Sequence, residues 1–241
     1  MTQDFAPAPT VRSFVDLAAF AACCDLPGAG GNGAWGANRE LLELPAGPVT
    51  VAVLRLNGKG EEAGLAADEF AIVLDGGLTL EQGGARMAVP ARKSVVIPAG
   101  VPFAWTAADA TVVVMRCASG PAGADAIVPV DEAAALVPSN PPLAELLIGP
   151  TPSCRNFTDY RSANGEFVCG TWDSTPYTRV AMPYRHYELM HLLEGAVTFV
   201  DGADRAATFR EGDVFLVEQG AECSWESLVD VKKVYAIYRP A

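Results

Sequence analysis

From about residue 49 onward, apolar and polar positions alternate in short runs, each cut off by a turn signal. Residues 49–56 (VTVAVLRL) alternate and are rich in β-branched side chains, the signature of a half-buried strand. Residues 69–74, 78–82, 85–89, 94–97 and 111–116 repeat the pattern, with Asp75-Gly76-Gly77 read as a hairpin and Pro98-Ala99-Gly100 as a further turn. The pattern resumes at residues 166–172, 179–183, 187–193, 196–200, 206–209, 214–217 and 231–238. Short strands at this spacing predict an all-β barrel or sandwich.

Three stretches depart from the pattern. Residues 11–24 are rich in Ala and Leu and predict a short helix, with Ser13 and Asp16 spaced as a capping pair. The Gly-rich stretch ending at Trp35 does not follow a strand and open a helix, as a phosphate loop would, so it reads as a flexible surface connection. Residues 118–161 are rich in proline and read as an inter-domain connection with one short helix at 131–136. Leu146, Leu147 and Ile148 predict that this connection packs along the surface.

The second block of strands partly copies the first. Glu69 aligns with Glu188, Gly76 with Gly195, Gly100 with Gly220, Phe103 with Cys223 and Trp105 with Trp225, in the same order. GAW ending at Trp35 echoes GTW ending at Trp172. Matched anchors in one order predict a duplicated β-domain: an N-terminal unit at 1–117, a connection at 118–150 and a C-terminal unit at 151–241.

Composition narrows the partners. The 241-residue chain carries a formal charge of -12 at pH 7, which repels phosphate backbones and anionic lipid, so neither nucleic acid nor membrane is expected. No apolar run reaches the roughly 18–20 residues of a membrane span, and residues 1–10 lack the pattern of a signal peptide. Six cysteines without CxxC spacing read as free thiols and suggest a cytoplasmic protein.

LLEG, REGD, QGAECSWE and VKKVY closely resemble motifs of the RmlC-like cupin superfamily, and more narrowly its (S)-ureidoglycine aminohydrolase-like subfamily of DUF861-type cupins, which includes the cupin of ethanolamine-utilisation operons. Trp225, Lys233 and Tyr235 keep the W-x(7)-K-x-Y spacing of the small members of that subfamily. The resemblance implies a bicupin: two tandem jelly-roll (double-stranded β-helix) domains, the first degenerate. It also implies metal positions that fall on Met182, Tyr184, Glu188 and Cys223. Metal-binding cupins typically present several histidines, whereas this chain has only His186 and His191. A divalent transition metal is the cofactor to test, with His186, Glu188 and Cys223 as candidate ligands.

If Glu188 faces the barrel interior, as the resemblance implies, strand alternation brings Tyr184 and His186 to the same side and sends His191 to the other. Cys223 and Trp225 share a face, as do Lys233 and Tyr235. The expected site is therefore Tyr184, His186, Glu188, Cys223, Trp225, Lys233 and Tyr235. Glu188 has two readings: a base, ligand or substrate anchor, or one half of a buried pair with Lys233 that only fixes the barrel. Cys223 is either a thiol activated by Lys233 or His186 or an inert core residue. Trp105 and Trp225 read as rim packing. Glu69, grouped with Phe103, Val113 and Met115, reads as structural. The functional expectation is a C-terminal barrel that binds a small polar metabolite, in a protein able to form a homodimer. The alternative is a metal-dependent enzyme, an aminohydrolase-like hydrolase or an oxygenase, using the same pocket.

Overall fold

The computed structural model describes residues 11–241. In chain order the elements are β1 (Val15–Asp16), α1 (Leu17–Cys23), α2 (Ala34–Ala37), β2 (Arg39–Leu41), β3 (Val49–Glu62), β4 (Asp68–Gln82), β5 (Ala85–Val89), β6 (Ser94–Ile97) and β7 (Phe103–Cys117). There follow β8 (Val128–Pro129), β9 (Val137–Ser139), a 3-10 turn at Ala144–Leu146, β10 (Leu147–Ile148), β11 (Cys154–Arg161), β12 (Phe167–Ser174) and β13 (Tyr177–Pro183). The chain closes with β14 (Tyr187–Glu194), β15 (Ala196–Val200), β16 (Ala206–Arg210), β17 (Val214–Val217), β18 (Glu222–Ser227) and β19 (Val231–Tyr238). The fold is all-β, as expected.

The first half builds one strongly bent sheet. Its main path runs β2-β3-β7-β4-β6-β8, with β5 on β4. It encloses an apolar cluster that includes Ala71, Val73, Leu78, Leu80, Trp105 and Val112. The second half builds two sheets, β1-β17-β14-β19-β12-β11-β9 and β10-β13-β18-β15-β16. Between them lies a cluster that includes Met190, Leu192, Phe199, Phe215 and Trp225. A third cluster joins the halves: Val51, Phe70, Ile72, Val113 and Met115 from the first pack with Phe167, Leu189, Leu216 and Val234 from the second. Strand periodicity explains this division. Alternate residues of β4 and β14 serve a barrel interior and the shared interface in turn, so both strands read as nearly continuous apolar runs.

Several sequence expectations are corrected. Asp75-Gly76-Gly77 is not a hairpin: β4 is one strand that pairs with β7 along both limbs, with register shifts between Val73 and Asp75 and between Asp75 and Gly77. Gly76 sits at φ 78°, where a Cβ would strike the carbonyl of Asp109. The glycine absorbs a bulge that bends the strand around the barrel. Its counterpart Gly195 (φ 82°) stands between β14 and β15, which lie in different sheets. The helix expected at 131–136 is a turn closed by Ala134 N–H donating to the Asp131 carbonyl. Its flanks are drawn into β8 and β9, which pair with β6 and β11.

The Gly-rich stretch packs on the first barrel instead of hanging free. Ala29 bridges Leu56, a Cβ at Gly60 would strike the carbonyl of Gly31, and α2 delivers Trp35 into the core. Ser13 is not the helix cap. Asp16 caps α1 through Ala18 and Ala19, while Ser13 Oγ donates to Asp201 Oδ2 at 2.9 Å. Residues 11–16 strap onto the second half: β1 pairs with β17, and Arg12 Nε donates to the buried Glu218 at 2.8 Å. Among the described residues, no helix is long and apolar enough to cross a membrane.

Candidate functional site in the second barrel

The inner face of the β11-β12-β19-β14 wall is laid out in rows by strand register. One row carries Asn156, Trp172, Lys233 and Leu192; the next carries Thr158, Gly170, Tyr235 and Met190; the third carries Arg161, Val168, Ile237 and Glu188. Gly170 is required where it stands. A Cβ there would collide with the Phe157 carbonyl and come within 2.9 Å of the Tyr235 hydroxyl. The space it leaves admits the Tyr235 hydroxyl, which lies 3.2 Å from Thr158 Oγ1.

Lys233 reaches diagonally past Met190 to Glu188. Its Nζ donates to Glu188 Oε1 at 2.7 Å and lies 3.2 Å from Met190 Sδ. The same ammonium stands 4.9 Å from the centroid of Trp172 and 5.2 Å from that of Trp225, a cation–π cradle. His186 Nε2 lies 3.2 Å from Glu188 Oε2, so both carboxylate oxygens are engaged. Burial pushes the Glu188 pKa up, but the Lys233 ammonium and the His186 ring outweigh it and hold the carboxyl well below its usual range. The floor of the site is therefore a fixed carboxylate–ammonium pair.

The opposite sheet supplies residues that the sequence reading missed. Arg179, almost fully buried, donates to the Tyr184 hydroxyl at 2.9 Å and to the Cys223 carbonyl at 2.8 Å. Tyr177 stacks on Trp225 with ring centroids 5.4 Å apart, and Trp172 meets Trp225 edge-on. Trp225 is thus a buried wall of the cavity, not rim packing, and Trp105 is likewise buried inside its own barrel. The echo of GAW and GTW was the signal that could have placed Trp172 here.

Six of the seven expected site residues, Tyr184, His186, Glu188, Trp225, Lys233 and Tyr235, line two adjoining cavities that share His186, Glu188 and Lys233. The opening beside Tyr235 holds about 440 Å³, within the range of small-molecule sites. Residues of the proline-rich connection, Ser139 and Asn140 among them, form part of its wall. Cys223 departs from expectation. Its side chain is fully buried in the barrel core, and desolvation pushes the thiol up to about 11. A thiol so shifted is neither a thiolate nucleophile nor a ready ligand at neutral pH.

The donor set does not fit a metal ion. Among the described residues, no three His, Cys, Asp or Glu side chains are placed to share one. His186 and Glu188 meet, but Cys223 does not join them, and both Glu188 oxygens already have partners. Of the positions that the resemblance implied, Tyr184 is engaged by Arg179, and the backbone carbonyl of Cys223 accepts from the same guanidinium.

In the first barrel Glu69 is closed off. Arg39 grips it through two hydrogen bonds at 2.8 and 2.9 Å, and Trp35 Nε1 donates at 3.2 Å. The expected grouping with Val113 and Met115 is wrong, because those residues face the interface between the halves. Phe103 does stand in this barrel, edge-on to Trp35.

Comparison with known proteins agrees with this architecture. A family model described as an EutQ-like cupin domain matches residues 161–235, the stretch that carries most of the site. A DUF861-family protein of unknown function from Pseudomonas syringae pv. tomato superposes with a TM-score of 0.77 at 28% identity, over 82% of this chain and 85% of that one. Ylba from E. coli, also DUF861, gives 0.51 at 13% identity, covering 85% and 84%. A variant of salicylate 1,2-dioxygenase from Pseudoaminobacter salicylatoxidans gives 0.56 at 12% identity, covering 99% and 88%. No curated protein sequence matches the chain. These likenesses show a cupin fold.

Proposed function

We propose that this protein is a cytoplasmic bicupin whose C-terminal barrel receives a small polar metabolite. In this reading the N-terminal barrel, roughly residues 1–117, is a degenerate partner, and residues 118–150 connect it to the binding unit at 151–241. The resemblance to ureidoglycine aminohydrolase-like cupins points to a ligand of a few heavy atoms with nitrogen or carboxylate groups. The observation that carries the reading is the cavity of about 440 Å³ floored by Glu188, Lys233 and His186, with polar groups converging from Thr158, Asn156 and Tyr235. An open cavity with a few fixed polar groups is the usual form of a small-molecule site. The first barrel, whose glutamate is capped by Arg39 and Trp35, offers no comparable floor.

A metabolite thermal-shift screen on wild type and Glu188→Gln tests this. The reading expects at least one small polar compound to raise the wild-type Tm and to do so far less in the variant. Compounds that stabilise both proteins equally would count against the site.

A further inference from the structure

Building on that reading, we propose that the second-barrel cavity selects small carboxylates, held by Arg161 and Arg239 at its mouth and bound without a metal ion. The chain as a whole is strongly acidic, with a formal charge of -12. The cavities over the site reverse this balance. Arg161, Lys233 and Arg239 line the opening beside Tyr235, with Arg179 and Arg185 on its neighbours, against the carboxylates of Glu166 and Glu188 alone. A cationic recess in an anionic molecule focuses the field and concentrates anions at its mouth.

The two carboxylates are already engaged. Glu188 is held by Lys233 and His186. Glu166 accepts from Asn164 Nδ2 at 2.8 Å and from the Ala241 amide at 2.9 Å. The guanidinium groups of Arg161 and Arg239 form no side-chain ion pair with any described residue and are exposed to the opening. They project from the same inward face. Arg161 lies in the row of Val168, Ile237 and Glu188, and Arg239 follows Ile237 by two residues. A planar guanidinium matches a carboxylate in two parallel hydrogen bonds. The ligand's anionic end therefore sits at Arg161 and Arg239, and its remaining polar groups point inward to Tyr235, His186 and the Glu188–Lys233 floor.

The test is calorimetric titration of EDTA-treated full-length protein with malonate, succinate and glutarate, each compared with its diamide. At least one carboxylate should bind with 1:1 stoichiometry and roughly tenfold or more tighter than its amide. Arg161→Gln and Arg239→Gln should each weaken it about tenfold. Arg86→Gln, an equal charge change on the remote first barrel, should leave it unchanged. Amides that bind as tightly as the acids and lose binding in Glu188→Gln would overturn the anion preference while leaving the metabolite pocket intact. Carboxylate binding untouched by the Arg161, Arg239 and Glu188 variants would overturn both. So would failure of every acid and amide to bind at millimolar concentration. Binding that appears only after a transition metal is restored would overturn the metal-free assignment.

Discussion

The ammonium of Lys233 lies 2.7 Å from Glu188 Oε1, with both side chains almost entirely buried in the second barrel. A pair of this kind contributes little compared with well-packed apolar residues, yet losing one partner strands a buried charge. Lys233→Met should therefore destabilise the protein by about 3–5 kcal/mol. Combining it with Glu188→Gln should restore much of that loss. Urea unfolding of the two single variants and the double variant measures the coupling, and simple additivity would show that the pair is not the unit described here.

His191 lies on the opposite face of β14 from Glu188, buried at the interface between the halves with Nδ1 unpartnered. Burial, with the nearby charges of Arg92 and Lys93, lowers its pKa from 6.5 to about 4. The unfolded chain then binds more protons than the folded one between those values. Stability is complete above pH 6.5 and is lost as the pH falls towards 4, by roughly 3 kcal/mol from this residue. His191→Leu should flatten the pH dependence of Tm in that window. An unchanged slope would assign acid sensitivity to other groups.

Cys223 should be silent in the native protein. Its pKa of about 11 and its burial predict that iodoacetamide at pH 7.5 modifies the exposed Cys23 first and leaves Cys223 intact until unfolding. Peptide mapping after timed labelling reads this directly. Early labelling of Cys223 would mean that the core around it opens.

Tyr160 ties the halves together. Its hydroxyl donates to Asp68 Oδ2 at 2.6 Å and accepts from the Gly123 amide at 2.9 Å. Tyr160→Phe leaves a buried carboxylate oxygen short of a donor and should cost about 1–3 kcal/mol in thermal or chemical unfolding. A smaller effect would show that solvent replaces the lost bond.

Much of the strand pattern was legible because alternation and turn residues are local signals. Residues 196–200, 214–217 and 231–238 coincide with β15, β17 and β19. The wrong hairpin at Gly76 came from a sequence signal that a bulge and a turn share: both need a positive φ. Strand parity also grouped Tyr184 and His186 with Glu188, and Lys233 with Tyr235, and these residues line two adjoining cavities. It could not find Arg179. Arg179 and Tyr184 are an odd number of residues apart, and only a register shift between Arg179 and Met182 turns them to the same side. Nor could it find Arg39, whose partner Glu69 is brought to it by tertiary packing alone. Parity fixes a face and not a depth, so it left Cys223 among the site residues, whereas the structure bears out its alternative reading as an inert core residue.

On the proposed function, the cavity above Glu188 and Lys233 is where this protein meets its ligand. Hydrogen exchange read by mass spectrometry, with and without the strongest hit of the thermal-shift screen, tests it most directly. Exchange should slow in the peptides spanning β11, β14 and β19 and in the Ser139–Asn140 wall, with the first barrel unchanged. Protection confined to the first barrel or to the interface between the halves would contradict it.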